Sequence, residues 1–110
     1  QRAYVAMVLA QDTEYLLLDE PLNNLDMQHS VQMMQLLRRA AAELGHTVVI
    51  VLHDINFAGH YADHICAVKD GRVVSFGSPQ EMMRDEVLTD IFDTEVRVVD
   101  GPRGRIAVYY

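Results

Sequence analysis

Two adjacent carboxylates, Asp19 and Glu20, follow directly on the apolar run Tyr15 to Leu18, and Pro21 then stops the pattern. A second apolar run, Thr47 to Leu52, ends in His53 and Asp54. Carboxylates are costly to bury, so a strand driven straight into two of them either ends at the surface or sets the pair to work. The working alternative rests on placement. In open parallel sheets ligands bind beyond the carboxyl ends of the strands, so the acids at the end of one strand and His53 and Asp54 at the end of the next would converge on one edge. Consecutive strand residues project to opposite sides of the pleat, which would let Asp19 and Glu20 do different jobs there. Other reactive side chains carry less. His60 and His64, four apart on an expected helix, have a spacing able to bind zinc, but the glutamate of H-E-x-x-H and a third ligand are missing. Cys66, the single cysteine, lies in the apolar run Ile65 to Val68 and reads as core, not as a nucleophile.

The elements that must position these groups follow from periodicity. Gln1 to Gln11 reads as helix, with Ala3, Ala6, Met7 and Ala10 at helical spacing, so the chain is expected to begin inside a larger domain. Tyr15 to Leu18 is a short buried strand. Asp26 to Leu44 is a helix whose stripe is Val31, Met34, Leu37, Ala41 and Leu44, with Gly45 as its stop. Thr47 to Leu52 is the next strand, and strand, helix, strand implies a right-handed parallel crossover covered on both faces. Beyond it come a short helix over Asn56 to Ala62, then strands His64 to Lys69 and Arg72 to Phe76 around the hairpin signal Asp70-Gly71. Ser78-Pro79-Gln80-Glu81 carries an N-cap, a first-turn proline and the glutamate of a capping box. Helical turns follow to Met83 and over Val87 to Phe92, and a last hairpin pairs Val96 to Val99 with Arg105 to Tyr109 across Asp100 to Gly104. The fold class is α/β: parallel strands with a crossover helix, then C-terminal β-hairpins and short helices, in one unbroken portion of a domain. His29 and His46 are expected to face solvent, the methionines at 27, 33, 34, 82 and 83 to fill packing gaps, and Arg38-Arg39 to lie on an exposed helix face.

Bulk properties narrow the function. With 110 residues, half of them apolar, there is enough chain for one modest core. The 16 acids against 9 bases give a formal charge of −7, which argues against nucleic acid or anionic lipid as a direct partner. The longest continuous aliphatic run, Val48 to Leu52, is far short of the roughly 20 residues that span a bilayer, and no signal-peptide pattern opens the chain. A lone cysteine agrees with a reducing compartment, so a cytoplasmic location is expected, with any membrane link made through a protein partner.

Four apolar residues followed by Asp-Glu is the Walker-B pattern of nucleoside triphosphatases. Leu18-Asp19-Glu20-Pro21-Leu22-Asn23-Asn24-Leu25-Asp26 resembles, nearly residue for residue, the Walker B and D-loop of ATP-binding cassette (ABC) ATPases. His53 after TVVIVL resembles their switch histidine, and Gln1-Arg2-Ala3 resembles the end of their signature LSGGQ-R-A. The resemblance runs the whole length of the chain. The phrases LNNLDMQHSVQMMQLLRR, VLHDINFAGHYADHICAVKDGRVVSFGSPQEMM and RIAVYY are most similar to the ATPase subunits of bacterial iron–siderophore importers, and those after the histidine are shared in part with vitamin B12 and haem importers.

The resemblance implies a P-loop NTPase fold truncated at its N-terminus, with ATP and Mg2+ as cofactors. It assigns Asp19 to the metal, Glu20 to general-base catalysis on water, and His53 to a hydrogen bond with the γ-phosphate. Asp26 would lie near the axis of an ATP-bound dimer, and Gln1 would close the helix-start motif that meets ATP on the opposite subunit. The implied partners are a second ATPase subunit, membrane-spanning permease subunits and, indirectly, a siderophore-binding protein. The departures matter as well. A P-loop needs G-x-x-x-x-G-K-[S/T], but the only lysine is Lys69, in no such context. The Q-loop glutamine and most of the signature would also lie upstream of Gln1. These 110 residues are therefore expected to hold the hydrolytic half of a site, to be inactive alone, and to self-associate through an unpaired sheet edge and uncovered apolar face. Two other readings stand beside this: an ABC-type ATPase of a non-transport system such as DNA repair or translation, and a non-catalytic interaction fragment.

Overall fold

A computed structural model describes residues 15–110; the expected helix over Gln1 to Gln11, and Gln1 as a site residue, lie outside the described residues. The chain divides into two compact units, Gln1–His53 and Asp54–Tyr110.

The described part of the first unit is β1 (Tyr15–Asp19), α1 (Met27–Glu43) and β2 (Thr47–Val51). β1 and β2 pair in parallel from Tyr15 against Thr47 to Asp19 against Val51, so the expected strand, helix, strand order holds. Asp26 caps α1, and its stop is local: the Leu44 N–H bonds to the Ala40 carbonyl and Gly45 takes φ +71, the left-handed region a glycine enters without strain. The buried face of α1 is Ser30, Met33, Met34, Leu37 and Ala40. This stripe is turned slightly from the expected one, and Leu44, as the C-cap beyond the last turn, is exposed.

Among the described residues the sheet buries one face only. Leu16 and Leu18 are buried, with Val48 and Ile50 half-buried beside them, whereas Tyr15, Leu17, Val49 and Val51 are exposed, Leu17 to 74%. Side chains alternate across a strand with a period of two, so cover on one side leaves every second residue out, however apolar the run.

The second unit is α2 (Ile55–Tyr61), β3 (Ile65–Lys69), β4 (Arg72–Gly77), α3 (Pro79–Met82), α4 (Asp85–Phe92), β5 (Arg97–Gly101) and β6 (Gly104–Val108). β3 and β4 form an antiparallel hairpin in which Asp70 and Gly71 both take positive φ, as a two-residue type I′ turn requires. The capping box is present: Ser78 Oγ accepts from the Glu81 N–H and the Glu81 carboxylate accepts from the Ser78 N–H. β5 and β6 pair until Gly101 meets Gly104, a tighter turn than the five residues expected. The core of this unit is Met83, Leu88, Val96 and Ala107, with Ile55, Ile91 and Val98 packed against it.

Side chains tie the last hairpin to the helices. Asn56 grips the backbone of Ala107, accepting from its N–H at 2.7 Å and donating to its carbonyl at 3.3 Å. Thr89 Oγ1 bonds both polar groups of Val96, Asp85 accepts from the Val98 N–H, and Arg105 donates to the Met83 carbonyl. Lys69 closes the C-terminal end of α4, donating to the Asp90 carbonyl and the Asp93 carboxylate, which holds the ammonium above its ordinary range.

Several residues differ from expectation. Cys66 is exposed, because β3 alternates and Cys66 falls on its open side with Val68. Met27, the first residue of α1, is exposed, unlike the four other described methionines. His46 is 7% exposed, with Nδ1 unpartnered. It stands directly before β2, where packing of neighbours in space, not its own polarity, decides burial.

Candidate active site

The parallel pairing of β1 with β2 decides the geometry. Asp19 is the last residue of β1 and stands opposite Val51, and the ladder runs one step further as the Glu20 N–H donates to the Val51 carbonyl at 3.2 Å. Glu20 then leaves the strand with φ +49. A glutamate in the left-handed region is uncommon, and such backbone persists where the surroundings hold it. The two acids are therefore separated by a change of backbone region as well as by the pleat: Asp19 lies on the open face with Tyr15 and Leu17, while the Glu20 side chain is half-exposed and turned to His53.

His53 Nε2 stands 2.5 Å from Glu20 Oε1. An ionised carboxylate only accepts, so the imidazole proton sits on Nε2 in this contact. The His53 side chain is 80% exposed, and a pair so open to water contributes less than about 1 kcal/mol to folding. The backbone, not the pair, fixes the arrangement. Asp54 is engaged elsewhere, its carboxylate accepting from the N–H groups of Asn56 and Phe57 as the cap of α2.

From Glu20 the chain makes two turns, closed by bonds from the Asn23 N–H to the Glu20 carbonyl and from the Leu25 N–H to the Leu22 carbonyl, with Asn24 at φ +68. Asp26 follows as the N-cap of α1, Oδ1 accepting from the His29 N–H at 2.8 Å. His29 hydrogen bonds hold its carboxyl below the ordinary value.

The chemistry open to these groups is that of a carboxylate and an imidazole sharing one proton position at a sheet edge, beside a second exposed carboxylate. That pair can orient and deprotonate a water molecule, and a lone aspartate at a strand end fits Mg2+, which takes one or two protein carboxylates and fills its shell with water and phosphate oxygens. Among the described residues no group of three or more His, Cys, Asp or Glu could hold a metal by itself. His60 and His64 do not share a helix: α2 ends at Tyr61, His60 meets the edge of Tyr61, and His64 stacks on Phe76. Sequence reasoning missed His29, whose ring reaches Asp26; its place three residues after the cap was the available signal.

The fold matches solved ABC transporter ATPases. An inward-facing structure of a metal-chelate type ABC transporter superposes with a TM-score of 0.82 over 96% of this chain and 43% of that chain, at 22% identity. CbiO1 from Clostridium perfringens, part of the ABC transporter complex cbiONQ, superposes with a TM-score of 0.70 over 81% of this chain and 36% of its own, at 35% identity.

Sequence comparison reaches nearer relatives. The chain is 62% identical to the petrobactin import ATP-binding protein FatE of Bacillus anthracis, over 99% of its own length and 44% of the relative's. It is 56% identical to the petrobactin import ATP-binding protein YclP of Bacillus subtilis, over 100% and 44%, and 41% identical to the ferric enterobactin transport ATP-binding protein FepC of Escherichia coli, over 93% and 38%. No family model matches the chain. The chain is a homologue of the ATP-binding proteins of ABC siderophore importers and spans less than half the length of these relatives.

Proposed function

We propose that these 110 residues are the C-terminal portion of an ABC nucleotide-binding domain and carry the hydrolytic half of its ATP site, in the ATPase subunit of a ferric-siderophore importer. The observation that carries this reading is the meeting of Glu20 with His53 at the ends of two paired parallel strands, directly after Asp19. The names of the relatives at 62% and 56% identity favour siderophore import over a non-transport ATPase or a non-catalytic fragment.

In this reading Glu20 takes a proton from the attacking water and His53 orients that water and the γ-phosphate, so catalysis is positioning and charge stabilisation. Asp19 would hold Mg2+, which supplies positive charge to the phosphate oxygens when bound. Asp26 would act between the two sites of a subunit dimer, and Gln1 would meet nucleotide on the opposite subunit. The phosphate-cradling glycines and lysine belong to other parts of the protein. The whole subunit would lie on the cytoplasmic face of the membrane through its permease partners, with a siderophore-binding protein upstream in transport.

The test is Glu20→Gln in the whole ATPase. It should retain Mg-ATP binding while turnover falls by about 10²-fold or more, with the 110-residue chain alone giving no turnover in the same assay. Undiminished turnover in the variant would remove Glu20 as the base.

A further inference from the structure

Asp26 meets His29 twice. The His29 backbone N–H donates to Oδ1 at 2.8 Å, and the ring Nδ1 stands 2.7 Å from the same oxygen. The backbone contact is the ordinary helix N-cap bond, which any residue but proline at position 29 would supply. The ring contact is different. Capping does not require it, and it needs a side chain that places a donor nitrogen where the imidazole has Nδ1. Since the carboxylate accepts, Nδ1 carries the proton.

We propose that His29 is a positioning residue for Asp26, fixing the orientation of its carboxylate at the far end of the Glu20-to-Asp26 loop. This rests on the proposed reading of Asp26 as a group that acts between two ATP sites. The loop favours such a device. Its near end is held by the Glu20 N–H bond to Val51, and its middle by two closed turns. Its last residue has a side chain 64% exposed, where one backbone bond holds a rotatable carboxylate weakly against water. A second donor on the same oxygen removes that freedom. Seven residues then run from the candidate base to Asp26 with a hydrogen bond at the start, at each turn and at the end.

The experiment uses the whole ATPase with His29→Ala, His29→Asn, Asp26→Ala and the Asp26→Ala/His29→Ala double variant, measuring kcat and KM for Mg-ATP with melting temperature alongside. The asparagine amide nitrogen lies close to where Nδ1 stands, so His29→Asn should recover most of the activity. His29→Ala should lower kcat by roughly five- to tenfold with KM changed by less than about twofold, and should add nothing to Asp26→Ala. Wild-type kcat in His29→Ala while Asp26→Ala is impaired, or losses that multiply in the double variant, would overturn the positioning role. Full activity in Asp26→Ala would overturn the reading of Asp26 and this proposal together. A loss in His29→Ala that His29→Asn does not restore, matched by an equal fall in melting temperature for both, would mark His29 as structural and end the proposal.

Discussion

Asp26 serves the fold as a helix cap and, in the proposed reading, a site as well. As the cap of α1 it satisfies an orphan N–H, and the His29 backbone bond, followed by the ring bond, lowers its carboxyl from 3.8. The sign of the linkage follows: a depressed carboxylate contributes stability that is complete above 3.8 and is lost as pH falls through the lower folded value. A 13C carboxyl titration of this chain should place the Asp26 midpoint below 3.8, and His29→Ala should raise it toward that value; no change on substitution would show that the ring bond is not made in solution. The meeting of Glu20 with His53 was legible because strand ends in a parallel pair must share an edge. The left-handed backbone at Glu20 was not legible, since nothing in its residue type asks for it. His46, expected to face solvent, is buried for a related reason: burial is decided by what packs over a residue, and the polarity of the side chain does not report that.

At the level of elements, local chemistry read true wherever it was self-contained. Gly45, Asp70-Gly71 and Ser78-Pro79-Gln80-Glu81 each specify their geometry within four residues, and each is found as expected. Ser78→Ala should therefore cost about 1 kcal/mol through the lost cap, seen as a lower urea midpoint for the second unit. It should also raise the titration midpoint of Glu81, which the Ser78 N–H and hydroxyl hold below 4.5. An unchanged midpoint in both measurements would mean the box is open in solution. Faces were harder to read than ends. A continuous apolar strand is consistent with cover on both sides, and Cys66 and Leu17 show that the run itself does not say which side is covered.

For the molecule as a whole, the open face of Tyr15, Leu17, Val49 and Val51 sets solution behaviour. Contiguous exposed apolar side chains on a sheet that has two strands among the described residues favour association. The 110-residue chain should run larger than a monomer in light scattering at micromolar concentration, and Leu17→Lys with Val49→Lys should shift it toward monomer; a monomeric parent chain would contradict this. The Lys69 clamp has a consequence of another kind. The sequence has one lysine, at the mouth of the Asp70-Gly71 turn and tied to the tail of α4. A lysine-directed protease thus finds a single scissile bond in this chain, and it must draw the Lys69 ammonium away from Asp90 and Asp93 to seat it, so the pace of that one cut should gauge how often this clamp lets go.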